Sequence, residues 1–313
     1  MTNRTWVGGG NNLARNPDDW SPTGAPQPGD ILSMPNGGIM NVRDDDLAGN
    51  AVHVGSPLTL EQETFNLSHH AVLAVVQNAD TDSETTMNVS GKDTLRFSSI
   101  FPSTPRVTVN LESHARLTAS FNMTFGRVTV NDAPEAKLIN DQGDTFAGAN
   151  AVITPDVLGI GGFTSSSAQG TGGFLEFGRS VSSGQSVTLS GDTSQRVASG
   201  LQIDRPREFH GSVAMRPMSD IDLVGLAKAD SYTFKNDMLS IFAGNRVIDR
   251  LRLTNDGTVL GQSHDLVVSK SGRDVIVTQS GLTGPPMGST TLPLHTSSSL
   301  ADHDHHGLTF AGS

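Results

Sequence analysis

Short stretches of this 313-residue chain alternate between apolar and polar positions, with turn-forming residues between them. The runs 71–76 (AVLAVV), 94–97 (TLRF), 106–111 (RVTVNL), 115–119 (ARLTA), 127–130 (RVTV), 186–189 (SVTL) and 200–203 (GLQI) carry the pattern. Period-two alternation over such short runs predicts strands with one buried and one wet face. The runs recur every roughly ten to twenty residues, the spacing of stacked strands in a solenoid or of a sandwich.

Two features select the solenoid. The segment VTVNLESHARLTASFNMTFGRVTVNDAPEAKLIND places V-x-V, L-x-A, F-x-M and V-x-V in succession with small polar residues between them. Hairpin dipeptides such as Asn-Gly at matched spacing are scarce, and a parallel β-helix needs none. Each coil then buries Val, Leu and Ile in inward stacks while Asn, Ser, Thr and Gly turn the corners. The expected fold is therefore all-β, a parallel β-helix, with a β-sandwich or jelly roll as the alternative built from the same strands.

The texture changes along the chain. Residues 1–50 read as an N-terminal cap and 51–208 as the solenoid body. In 209–280, TFKNDMLSIFAGNRVIDRLRLTN sets Lys-Asn-Asp and Ala-Gly-Asn between alternating runs, which predicts a more hairpin-like β module. Residues 281–313 are rich in Ser, Thr, Pro and Gly, with too few apolar residues for a core of their own. They read as a flexible tail or a subunit-bridging arm, with Leu308 and Phe310 as anchors.

Composition narrows the function. Thirty-four Gly and 15 Pro supply turn-formers that long helices would not tolerate. Aromatic residues are only 5%, so the core is expected to be aliphatic with Phe. A net charge of −11 argues against nucleic acid as a partner and suits divalent cations. The sequence has no cysteine, which excludes disulfides and thiolate metal sites and fits a secreted bacterial surface protein. No apolar run follows the first residues as a cleavable signal would require, and none approaches the ~18 residues of a membrane span.

The opening WVGGGNN followed by DDWSPTGAPQPGD resembles the first segment of β-helical bacterial surface and secreted repeat proteins, of autotransporter-passenger-like or large secreted adhesin-like type. The stretch FHGSVAMRPMSDIDLVGLAKADSYTFKNDMLSIFAGNRVIDRLRL is similar to C-terminal modules of secreted repeat proteins. The resemblance implies a β-helical architecture hosting adhesins, matrix proteins or polysaccharide enzymes. The chain departs from those families in having no outer-membrane barrel, no G-G-x-G-x-D array and no signal peptide. Trp6 and Trp20, the only tryptophans, then read as plugs of the first coil, or as a surface that docks onto the next subunit.

Candidate chemistry is sparse. Paired carboxylates occur at Asp44, Asp45 and Asp46, at Asp141 and Asp144, and at Asp220 and Asp222, mostly in turn-like contexts where Asp commonly serves the backbone. The segments 78–84 (NADTDSE) and 140–145 (NDQGDT) crowd hard oxygen ligands, making calcium the candidate cofactor with Asp80, Asp82, Asp141 and Asp144 as donors. Residues 302–306 (DHDHH) offer imidazole and carboxylate to zinc, nickel or copper. His69 and His70 read as the edge of a strand. LGIGGFTSSS has glycines but no following helix, so it reads as a tight coil rather than a nucleotide loop. No catalytic constellation stands out, and the chain reads as a non-enzyme. The expected function is an extracellular structural protein that self-associates into a filament, sheath or biofilm matrix, through strand or terminal-arm exchange. The alternatives are a cell-surface adhesin binding a surface polysaccharide, or a polysaccharide-degrading enzyme.

Overall fold

Burial follows the pleat of the strands. In Arg106–Leu111, Val107, Val109 and Leu111 are buried, whereas Arg106 is exposed and Thr108 and Asn110 stand half-buried on the outer side. Gln62–Ser68 and Glu84–Val89 repeat this alternation, which follows from the two-residue period of an extended chain. The computed structural model describes residues 2–9, 11–28, 30–34, 38–43, 46–47, 50–54, 62–77, 84–99, 105–254, 266–279 and 290–291.

Strands with one apolar face must share a core, and here they do so in two sheets, one of 16 strands and one of 12. The chain crosses between sheets and returns one coil later, alongside its own preceding strand. In the first sheet Val72–Gln77 lies beside Lys92–Ser99, which lies beside Arg116–Thr124. In the second, Gly38–Arg43, Gln62–Ser68, Glu84–Val89, Arg106–Leu111 and Arg127–Asn131 stack in order. From Ile31–Met34 through Ser219–Leu223, every strand pairing among the described residues is parallel. This is a β-solenoid and not a sandwich. Pro17–Asp19 and Pro206–Glu208 form single 3-10 turns, and no helix among the described residues is long and apolar enough to cross a membrane.

Register converts the alternation into columns. Met40, Phe65, Met87, Val109, Val130, Ile153, Phe177, Ile203 and Leu223 occupy the same inward position of successive coils, all of them buried. Burying each such side chain contributes about 1.5–3 kcal/mol, so the stack is stabilised coil by coil. One hydrophobic cluster runs from Trp6 to Val277.

The coils widen past residue 115. Arg116–Thr124 pairs with two following strands, Lys137–Ile139 at its start and Gly143–Ala147 at its end. The chain between them leaves the sheet, and buried polar side chains add hydrogen bonds to the backbone there. Gln185 Nε2 donates to the carbonyls of Asn140 (2.8 Å) and Leu158 (2.9 Å), and Asn140 Nδ2 donates to that of Gly162 (3.2 Å). The glycines of LGIGGF serve this crossing: a Cβ on Gly161 would lie 2.0 Å from the Gln142 carbonyl oxygen, and Gly159 adopts φ +100°. The tight-coil expectation for this segment is met.

Parallel coils continue through Ser212–Met215 and Ser219–Leu223, so hairpins begin later than residue 209. Ser231–Lys235, Met238–Ala243 and Arg246–Thr254 form an antiparallel meander that extends the first sheet. Its turns fall at Asn236–Asp237, both with positive φ, and at Gly244–Asn245, as the sequence indicates. Leu266–Ser271 and Asp274–Gln279 form a second hairpin that extends the other sheet antiparallel to Ser219–Leu223.

Candidate functional site

The outer face of the second sheet carries a repeated polar surface. Asn41, Asn66, Asn88, Asn110 and Asn131 occupy one outward column, in coils 25, 22, 22 and 21 residues long. Each amide Nδ2 donates to the Oδ1 of the preceding Asn, over 2.8, 2.8, 3.0 and 2.9 Å. Asn41 Nδ2 closes the ladder on the Asn11 carbonyl (3.2 Å). Thr64, Thr86, Thr108 and Thr129 form the neighbouring column two residues earlier in each strand. Two residues on the other side of the ladder stand Arg43, Ser68, Ser90 and Glu112. Between this last column and the asparagines lies a shallow groove of about 280 Å³ that spans four coils.

A second groove, of about 480 Å³, opens near the C-terminal end of the same sheet. Phe174 and Ile276 give it apolar walls, Gly200 lies on its floor beside the Phe174 ring, and Asp220 and Asp222 enter it from one strand. Burial raises the Asp220 carboxyl above the usual range. Burial, with the nearby Asp274 and Asp204 charges, pushes Asp222 up to about 6. The strand therefore brings this sequence-suggested pair together on one face.

The pair Asp141 and Asp144 is divided. Asp141 is exposed in the crossing segment, while Asp144 is the second residue of the strand Gly143–Ala147 and shares the inward face of Phe146. Asp144 Oδ1 accepts from the Phe121 backbone N–H (2.7 Å), its Oδ2 has no partner among the described residues, and burial pushes its carboxyl up to about 7. The calcium expectation at 140–145 is thus not matched by converging carboxylates, because the pleat turns one of the two donors into the core. Asp46 accepts from the Arg43 backbone N–H (3.2 Å) and lies 3.9 Å from Arg15. Among the described residues no three His, Asp or Glu side chains converge on a point. Asp44, Asp45, Asp80, Asp82, the 302–306 cluster, Leu308 and Phe310 lie outside the described residues. His69 and His70 make the turn before Ala71, both with positive φ.

The two ends of the stack differ. At the N-terminal end Trp6 and Trp20 are buried edge to face, with ring centroids 5.1 Å apart, and Trp20 Nε1 donates to the Ala14 carbonyl (2.7 Å). The indoles thus plug the first coil. The segment around them hydrogen-bonds the edge of Gly38–Arg43, through Asn41 N to the Asn12 carbonyl (2.7 Å) and Ala14 N to the Asn41 carbonyl (2.9 Å). Asp30 ties the chain down by accepting from Arg4 Nε (2.7 Å), Thr2 N (2.8 Å) and Gln27 N (3.1 Å). Those bonds, the Arg4 guanidinium foremost, hold its carboxyl at about 2. Around this plug, Val7, Ile31 and Ile39 remain 57%, 45% and 48% exposed. At the opposite end, among the described residues, the last strand of the first sheet is Ser231–Lys235 and that of the second is Thr290–Thr291, which pairs with Ser269 and Lys270.

Sequence reading did not single out the asparagine ladder. Its signal is an Asn flanked by apolar residues in IMNV, FNLS, MNVS and TVNL, one coil apart. No protein family, curated protein or solved structure matches this chain.

Proposed function

We propose that the chain is an extracellular structural protein of a bacterial surface, whose copies join end to end into a filament, sheath or matrix. The observation that supports this reading is the pairing of unlike ends. One end exposes Val7, Ile31 and Ile39 around the first coil, and the other ends, among the described residues, in the five-residue edge strand Ser231–Lys235. Ile31 and Ile39 stand on the outward faces of the first coil, beside its end, where an overlapping arm of a neighbour would cover them, and an edge strand is a template for further pairing. Contact between unlike ends propagates into an open filament when the rotation does not close. Thr290–Thr291 already adds a strand to the second sheet, and the same addition made to a neighbour is an arm exchange. The absence of cysteine and the resemblance of the opening segment and of residues 209–253 to surface repeat proteins support the location.

Sedimentation velocity across a concentration series, with and without calcium, tests this. Association that rises with concentration and is weakened by Ile39→Lys is expected. A monomer at every concentration in both buffers contradicts it.

The groove between Phe174 and the carboxylates of Asp220 and Asp222 favours a second reading, cleavage of a polysaccharide by paired acids. Reducing-end release from a polysaccharide panel, abolished in Asp222→Asn, would establish it.

A further inference from the structure

We propose that the groove along the asparagine ladder binds an uncharged, β-linked polysaccharide lying along the solenoid axis, one sugar for each coil. An Asn side chain has two N–H donors and a carbonyl oxygen with two lone pairs. Within the ladder, Asn66, Asn88 and Asn110 each spend one donor on the preceding amide and one lone pair on the following one. One donor and one acceptor per coil are left over. A sugar hydroxyl both donates and accepts, so it satisfies both. The ladder also fixes every amide in one orientation before a ligand arrives, so little rotamer freedom is lost on binding.

Spacing identifies the polymer. Adjacent coils stand about 4.7–4.9 Å apart, and an extended β-linked sugar chain advances by one ring length per residue, slightly more than this spacing. An extended peptide advances only about 3.2–3.4 Å per residue and falls out of step within a few coils. Charge excludes the other extended polymers. The groove centre holds Ser68 and Ser90, and its ends hold Arg43 and Glu112, charges of opposite sign that cancel. A polyanion such as single-stranded nucleic acid or polyuronate also meets the repulsion of a chain carrying a net −11. The groove shares the strand Gly38–Arg43 with the N-terminal end but extends over three further coils, so it is read on the monomeric fraction and does not depend on self-association.

Affinity electrophoresis of the full chain through gels containing mixed-linkage β-glucan, xylan or glucomannan tests the assignment, with dextran, polygalacturonate and sugar-free gels alongside. Retardation in at least one of the three uncharged β-linked gels is expected, with none in dextran or polygalacturonate. The variant Ser68→Arg/Ser90→Arg leaves the ladder intact and fills the groove from exposed or half-exposed positions. It should bind about tenfold more weakly or worse, a loss of about 1.4 kcal/mol per tenfold. Its unchanged thermal unfolding will show that the fold persists; should it misfold, Ser90→Arg alone takes its place. Unretarded migration in all three gels overturns the proposal. So does equal retardation of the groove-filled variant, or stronger retardation by polygalacturonate.

Discussion

The coils up to Asn131 and the widened coils around Asn140 solve the same problem in opposite ways. In the first region each coil repeats its predecessor, and an outward polar side chain is satisfied by its own copy one coil away, as in Asn66, Asn88 and Asn110. In the second the strands fall out of one-to-one register, and buried polar side chains bond backbone groups across the break. Asp144 accepts from the Phe121 N–H, and Gln185 donates to the Asn140 and Leu158 carbonyls, which also accept backbone N–H groups. Asp93 and Asp144 show the difference directly. Asp93 accepts from Ala71 N (2.8 Å) with one oxygen and from Gly91 N (3.1 Å) with the other, whereas Asp144 uses only one of its oxygens. Both regions bury polar side chains, Asp93 in the regular coils and Asp144 and Gln185 in the widened ones, but regular stacking also repeats a polar column on the surface, where it is available to a ligand.

Substitutions sharpen this contrast in order of size. Phe65→Ala in the regular coils and Phe146→Ala in the widened ones should each cost about 3–5 kcal/mol in urea unfolding, since both rings are fully buried in one core. A much smaller loss for one of them would mean that the two regions do not share a cooperative core.

The next effect is pH-dependent. The Asp144 carboxyl lies at about 7 when folded against 3.8 ordinarily, so the folded state holds a proton that the unfolded state releases. Stability should therefore fall as pH rises from about 4 to 7, by a few kcal/mol on the scale of about 1.4 per pH unit. Asp144→Asn should flatten that slope. Asp93 is raised in the same direction by burial but keeps both of its backbone donors, so Asp93→Asn should change the slope less. Equal slopes would erase the distinction between the regions.

Breaking the ladder is smaller. Asn88→Ala removes two amide bonds at a half-buried site and should cost about 1–2 kcal/mol by thermal unfolding.

The smallest effect is confined to the N-terminal end. Asp30 is held at about 2, so its contribution is present above 3.8 and is lost as pH falls toward 2. Its partner Arg4 lies in the strand Asn3–Trp6, which pairs with Trp20–Ser21, so tryptophan fluorescence should report an acid transition that Asp30→Asn removes. A transition that survives the substitution would assign it to another group.

Much of this architecture is legible in the sequence because it rests on the pleat alone. RVTVNL, SVTL and GLQI alternate and are strands with those faces. Lys-Asn-Asp and Ala-Gly-Asn are turns because their residues accept positive φ. Asparagine misleads, since it favours corners by propensity, while the five ladder residues lie within strands and are satisfied only by stacking on one another. That satisfaction is a property of register between coils, which single-strand patterns do not carry. Asp144 reads as a loop ligand because it follows Asn140, Asp141 and Gly143, yet its separation of two from Phe146 places it on the inward face. The end-to-end surface is partly legible through the two tryptophans. Of its exposed members, Ile31 and Ile39 stand one residue from buried Leu32 and Met40, so the pleat turns them outward, and it is their apolar character at outward positions that sets them apart.

Fibre diffraction from aligned, concentrated protein tests the end-to-end account most directly. Strands perpendicular to a filament built by joining unlike ends should give a meridional reflection at about 4.7–4.9 Å. Protein that forms no fibres, or fibres with that reflection on the equator, would contradict it.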